Sequence, residues 1–139
     1  MTGTSTVGAL RVVDTSFLYA LFSGTDAFHE RALREAKQYD SVLLPPEILS
    51  ETVALIHYRQ GFEAARNAGQ WISAQRAFRI PASDESFAWV PWRVFRTWRG
   101  KLSYPDAVVV AWCRQLRGAP LAFDDTIELA VKSSTVPKE

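Results

Sequence analysis

The chain contains one cysteine, Cys113, so no internal disulfide can form and the fold needs no oxidising compartment. Cys113 lies in the run AVVVAWC, where it reads as a small core hydrophobe rather than a reactive thiol. There are only two histidines, His29 and His57, far apart and unpaired with the cysteine, which speaks against a zinc site. No apolar run approaches the ~20 residues that a membrane helix needs, so no membrane association is expected. The opening MTGTSTVGAL has no basic stretch before its short apolar part, which argues against a secretory signal, and a cytoplasmic location is expected. An excess of one charge sign is also missing. Sixteen Lys and Arg face fifteen Asp and Glu, for a net charge of +1, so bulk charge does not predict nucleic-acid binding. Internal repeats, linkers and low-complexity stretches are absent as well.

What is present suits one folded domain. The 139 residues are 47% hydrophobic and 22% charged, enough for a core without staples. Residues 1–9 are small and polar and are expected to be a flexible N-terminus, with the domain proper over 10–139. LRVVD (10–14) reads as a buried strand, followed by a helix over TSFLYALFS that stops near Gly24. Asp26 is the expected N-cap of a helix through FHERALREAKQ, with Phe28, Leu33 and Ala36 near one face. SVLLP (41–45) is a second strand, and Pro46 suits the first turn of the helix PEILSETVALIHYR, which Gly61 interrupts. A helix over about 62–77 has Phe62, Ala65, Ala68 or Gly69, and Ile72 on one side. FRIPA (78–82) is a third strand. Asp84 caps the next element, Pro91 divides it, and WRVFRTWR (92–99) forms a helix ending at Gly100. Tyr104 and Pro105 open the apolar helix DAVVVAWCRQL, stopped at Gly118. APLAF (119–123) is a strand, TIELA a short helix, and a last strand is expected near 133–136. Strands alternating with helices imply an α/β fold with a central parallel sheet and helices on both faces.

Four of the fifteen acids stand where solvent exposure does not explain them. Asp14 and Asp124 each directly follow an apolar strand, and in a parallel sheet ligands bind outside the carboxyl ends of the strands. Either acid alone is equally well explained as a helix N-cap. Glu51 has Ile48, Leu55 and Tyr58 as helical neighbours, an apolar stripe on which a carboxylate is costly. Glu47, by contrast, is accounted for by the helix dipole. Asp106 has Val109, Val110 and Cys113 as helical neighbours, although the dipole favours an acid at that position too. Together, Asp14, Glu51, Asp106 and Asp124 can converge above the sheet, where they would repel one another unless cations sit among them. An all-oxygen donor set suits Mg²⁺ or Mn²⁺. Such an ion lowers the pKa of a bound water, which can then attack a phosphodiester. The number of ions is left open.

The segments VVDTSFLYALF, DAFHERA, LLPPEILSETVALI, SYPDAVVVAWC and LAFDDTIELA, in that order and spacing, resemble the PIN domain, and most nearly its VapC-like toxins of toxin–antitoxin pairs. The likeness runs from about residue 10 to residue 130. It implies a three-layer α/β/α fold and a Mg²⁺- or Mn²⁺-dependent endoribonuclease, the toxin of a type II pair. It places the catalytic acids at Asp14, Glu51, Asp106 and Asp124. The metal ligands are then Asp14, Asp106 and Asp124, with Glu51 acting through water, and Ser16 matches a supporting hydroxyl. Two departures stand out. Ala122 replaces a frequent threonine, and Asp125 stands where a basic residue commonly follows the fourth acid, so Asp125 is an alternative ligand to Asp124. The resemblance also implies an RNA substrate, an antitoxin partner and a homodimer. Asp26 and His29 read as helix-start and packing residues.

Between Arg76 and Lys101, six cations face only Asp84 and Glu85, a local excess of +4, interleaved with Phe78, Phe87, Trp89, Trp92, Phe95 and Trp98. Arginine among aromatics suits phosphate contact and base stacking, which marks Arg93, Arg96, Arg99 and Lys101 as candidate RNA-binding residues. The helical spacing of Trp92, Phe95 and Trp98 is equally that of a core or partner face. Other classes are weighed on single residues. A haloacid-dehalogenase phosphatase needs a second acid two residues after Asp14, where Ser16 stands. A receiver domain needs a lysine near 119–124, and there is none. A PIN-like module that binds RNA or protein without cutting, or an RNA-processing nuclease without an antitoxin, remains the alternative.

Overall fold

The computed structural model describes residues 10–133. Four strands, β1 (Arg11–Val13), β2 (Val42–Leu43), β3 (Phe78–Arg79) and β4 (Ala119–Leu121), form one parallel sheet in the order β3-β2-β1-β4. The flanking helices are α1 (Thr15–Phe22), α2 (His29–Ala36), α3 (Pro46–Gln60), α4 (Phe62–Ala74), α5 (Glu85–Ala88), α6 (Val90–Trp98), α7 (Tyr104–Leu116) and α8 (Asp125–Lys132). Val12 and Val13 point to opposite faces of the sheet and both are fully buried, so helices cover both faces. The expected three-layer α/β/α architecture is therefore the one observed.

The strand order places the functional rim. The chain moves outward from β1 to β2 and β3, then returns to lay β4 on the other side of β1. The switch point thus lies between β1 and β4, and in such sheets the ligand crevice opens outside the carboxyl ends of those two strands. The ladder continues one residue past β1, where the Asp14 N–H donates to the Leu121 carbonyl at 3.0 Å. α7 crosses the centre of the molecule. Its residues Ala107–Cys113 are all buried, which explains a run that is apolar on every side.

Several local expectations are corrected. Asp26 does not cap α2: its Oδ1 accepts from the Phe28 N–H at 2.8 Å in a turn, one residue before the helix begins at His29. Ala32 is the buried residue of α2, whereas Leu33 and Phe28 are exposed. A short helix packed against α1 needs only one small residue to approach closely. His29 acts in packing, as expected, with Nδ1 donating to the Ala20 carbonyl at 2.6 Å. Phe62 is exposed, and Ala65, Ala68 and Ile72 make the buried face of α4, which ends at Ala74. The third strand shrinks to Phe78–Arg79. α6 begins at Val90, with Pro91 in its first turn, where the missing N–H costs no helical bond. The helix stops also shift by one residue, because Arg99 and Arg117 take the left-handed conformation at the ends of α6 and α7. At the second of these the Gly118 N–H reaches the Cys113 carbonyl at 2.9 Å, a Schellman closure. The flexible segment expected over 1–9 and most of the strand expected near 133–136 lie outside the described residues. Ser133 itself ends α8.

Gly118 is required for a different reason from a helix stop. A Cβ there would lie 2.8 Å from the backbone oxygen of Leu10, the same carbonyl that accepts the Ala119 N–H. Gly118→Ala therefore forces β4 away from β1, and it is expected to destabilise the fold by about 1–3 kcal/mol. A urea midpoint unchanged by that substitution would refute this account of the β1–β4 junction.

Candidate active site

Asp14 caps α1 from the end of β1. Its Oδ2 accepts from the Ser16 backbone N–H at 3.1 Å and from the Ser16 hydroxyl at 2.7 Å. Its Oδ1 is buried and has no hydrogen-bond partner, and the residue is only 3% exposed. Burial pushes its pKa up to about 6, against the two hydrogen bonds from Ser16, and the negative charge of Asp106 raises it further. A carboxylate kept this dry, facing another acid and holding one oxygen without a donor, is unfavourable as an anion. It is suited to meet a cation.

Asp106 sits in the first turn of α7 in a reciprocal cap. Its Oδ2 accepts from the Ser103 N–H at 3.0 Å, and its own N–H donates to the Ser103 hydroxyl at 3.2 Å. The cap accounts for an acid in the first turn of α7, and the charge of Asp106 reaches Asp14.

Glu51 calls for a correction. It does not stand on a buried stripe, because Tyr58 is 89% exposed and the buried line of α3 is Ile48, Thr52 and Ile56. Glu51 lies one position to the side and is partly buried. Thr52, with a buried and unpartnered hydroxyl, takes the core position beside it. Leu55 and Tyr58 misled the reading because apolar residue type was taken for burial.

Glu47 is an exposed acid in the first turn of α3, as the helix-dipole reading expects. It shares a helical edge of α3 with Glu51, four residues on. Its charge acts on Tyr104, whose pKa is raised first by burial and then by Glu47. Tyr104 is the first residue of α7, two before Asp106. A first-turn acid is so ordinary on a helix that nothing in the sequence set it apart.

Asp124 caps α8, with Oδ1 accepting from the Thr126 N–H at 2.8 Å, and is exposed together with Asp125. The segment before it is held firmly. Phe123 stacks on Phe28 at 4.4 Å, lies 5.5 Å from Phe17, and carries the Arg31 guanidinium over its ring. The Phe123 N–H also donates to the Ser16 hydroxyl at 3.4 Å. One hydroxyl therefore ties the Asp14 carboxylate to the residue preceding Asp124.

The fold thus brings Asp14 and Asp106 within electrostatic reach and aims the elements carrying Glu51 and Asp124 at the same sheet edge. Among the described residues, no three His, Cys, Asp or Glu side chains gather closely enough to hold an ion between them. Asp106 and Asp124 each give an oxygen to a helix cap, which turns their carboxylates toward their own backbones. The free oxygen of Asp14 and the purely oxygen donor set nevertheless fit a hard divalent cation. The rim is open. An apolar cavity of about 250 Å³ lies between α1, α2 and α4, lined by Phe17, Leu21, Tyr39, Trp71 and Phe78, and no acid faces it.

In the basic segment, Arg96 is one turn from Trp92, and Arg93, three residues before Arg96, shares the exposed side of α6 with it while also lying near Thr97 and Arg114. Cys113 is buried, and burial pushes its thiol up to about 12, in line with a packing role.

Comparison with known proteins agrees with this geometry. Among solved structures, Mycobacterium tuberculosis VapC20, described as a sarcin–ricin loop cleaving toxin, is similar with a TM-score of 0.75 and 27% identity. The match covers 91% of this chain and 99% of that one. A search of curated proteins finds no match. The PIN domain family model matches residues 11–131, nearly everything from the first strand to the last described helix, and the chain therefore belongs to the PIN-domain family.

Proposed function

We propose that this chain is a divalent-metal-dependent endoribonuclease that hydrolyses RNA phosphodiester bonds and serves as the toxin of a toxin–antitoxin pair. The reading is carried by the buried, donor-free oxygen of Asp14 beside Asp106, at the switch point of a PIN fold similar to that of a ribonuclease toxin. Asp14, Asp106 and Asp124 would be the residues to hold Mg²⁺ or Mn²⁺, with Glu51 acting through water and Asp125 as the alternative to Asp124. A bound ion there supplies charge to the phosphodiester and lowers the pKa of water. Ser16 holds Asp14 by donating to Oδ2, which leaves Oδ1 for the ion, and its link to Phe123 keeps the start of α8 in place. Pairing of Asp14 with a cation would offset the burial, and the lesser effect of the Asp106 charge, that raise its pKa.

The test is cleavage of RNA by the full chain with Mg²⁺, with Mn²⁺ and with EDTA, with a sarcin–ricin loop hairpin among the substrates. Cleavage is expected with either ion and none with EDTA, and activity that persists in EDTA would overturn the metal mechanism. Mg²⁺ is also expected to raise Tm, by about 2.7 kcal/mol of stability at a hundred times its Kd.

One observation favours a second reading. Among the described residues no three acids gather, which favours a PIN-fold module that binds without cutting. A Tm unmoved by Mg²⁺ or Mn²⁺ would favour it.

An antitoxin partner, a homodimer and a cytoplasmic location follow from the same reading. Exposed Tyr58, Phe62 and Trp71 on α3 and α4 support a protein contact. No described helix is long and apolar enough to cross a membrane.

A further inference from the structure

We propose that Trp92, Phe95 and Tyr104 form a stacking track that leads single-stranded RNA into the acidic rim, with Arg96 and Arg99 on its phosphates. The inference rests on the ribonuclease reading for what happens at the end of the track, but not for the track itself.

The three rings run in sequence. Trp92 and Phe95 lie 6.0 Å apart by centroid, and Phe95 and Tyr104 lie 5.6 Å apart. Phe95 packs partly against the core, but core packing does not account for Trp92 and Tyr104, because α6 already buries Pro91, Val94 and Trp98. Trp92 and Tyr104 stay 41% and 37% exposed. A large ring left half in water on a helix with its own buried edge offers a face to something else.

One end of the track is fixed by chemistry. Tyr104 opens α7 two residues before Asp106, and the charge of Glu47 reaches it from α3. The last ring therefore lies at the end of α7 that carries Asp106. The other end lies on α6, where Arg96 is one turn from Trp92 and Arg99 ends the helix. Cations beside exposed rings match a backbone of phosphates carrying bases with free faces. Bases in a duplex have no free face, so the track suits unpaired RNA. Arg93, three residues before Arg96, lies on the same exposed side of the helix and adds a further cation beside the rings.

The experiment measures binding of a short mixed-sequence single-stranded RNA to the full chain in EDTA, where the metal route is closed. Trp92→Ala and Tyr104→Leu are each expected to raise Kd about tenfold, the scale of losing one base–aromatic stack. On an abasic sugar–phosphate chain of equal length, the same variants should leave Kd nearly unchanged. Arg96→Ala should lower the salt slope of binding by about one. Circular dichroism and Tm check folding. If Tyr104→Leu fails to fold, Trp92→Ala, at an exposed position, still decides. An RNA affinity indifferent to Trp92→Ala, or an equal loss on the abasic chain, overturns the track and points to a protein ligand for these rings. The two readings fail separately. Ring-dependent RNA binding without cleavage in Mg²⁺ would leave the track and remove the ribonuclease. Cleavage whose KM ignores both ring variants would do the reverse.

Discussion

Asp14→Asn is expected to abolish RNA cleavage while making the metal-free protein more stable at neutral pH. Loss of a ligand that concentrates charge at the phosphodiester removes several kcal/mol of transition-state stabilisation, a rate loss on the order of a thousandfold or more. The stability gain follows from the raised pKa. In the fold Asp14 titrates near about 6, against the ordinary 3.8. Below about pH 4 the folded and unfolded chains both hold the proton, and there is no penalty. As pH rises from about 4 to 6 the unfolded chain loses its proton first, so stability falls, by about 3 kcal/mol at two pKa units. Asparagine carries no charge and keeps an oxygen for Ser16, but its amide is left without a partner where Oδ1 stood, at about 1–3 kcal/mol. A net gain of about 1 kcal/mol, a few degrees in Tm, is expected at pH 7 without metal. The difference between variant and wild type should shrink and then reverse as pH falls toward 4. With Mg²⁺ present the order should also reverse, because only the wild type gains the binding energy. An Asp14→Asn protein that still cleaves RNA at the wild-type rate would remove this residue from the site.

Asp124→Asn is expected to cost activity on the same scale, whereas Asp125→Asn leaves it within about twofold. Asp124 follows Phe123, which Ser16 ties to Asp14, so its carboxylate lies one residue from the hydrogen-bonded cluster. Asp125 is the first residue of α8 and is exposed, where the helix dipole accounts for it at about 0.3–1 kcal/mol. Asparagine is nearly as good an N-cap as aspartate, so Asp124→Asn should keep the helix and change stability by only a few tenths of a kcal/mol. Activity and folding therefore separate at this position, which makes the pair informative. The opposite pattern, with Asp125 essential and Asp124 dispensable, would move the fourth ligand by one residue.

Much of the molecule is written in local chemistry. Periodicity shows the buried strand before Asp14 and the apolar helix after Asp106, because a strand covered on both faces and a helix buried all round must be apolar throughout. Caps and stops were also legible. Asp84 accepts from the Phe87 N–H, and Gly61 takes a φ of 97° between α3 and α4. These features depend on a few neighbouring residues, so no distant contact can hide them. The family resemblance rests on the same short segments, spaced as the fold needs them.

What the amino-acid order did not reveal depends on contacts between remote segments. Glu51 looked buried because Leu55 and Tyr58 are apolar, yet the turn of α3 against α7 buries Thr52 instead and leaves Tyr58 in water. Glu47 looked like a routine helix-start acid until Tyr104 was found beside it. Gly118 read as a helix stop, whereas its lack of a side chain lets β4 approach Leu10. The residue types, the strand ends and the order of acids along the chain set which chemistry is available. Only the return of β4 to the side of β1 decides that Asp14, Asp106 and the segment bearing Asp124 share one rim. That pairing joins residues more than a hundred positions apart, and its energy comes from burying surfaces that no local window contains.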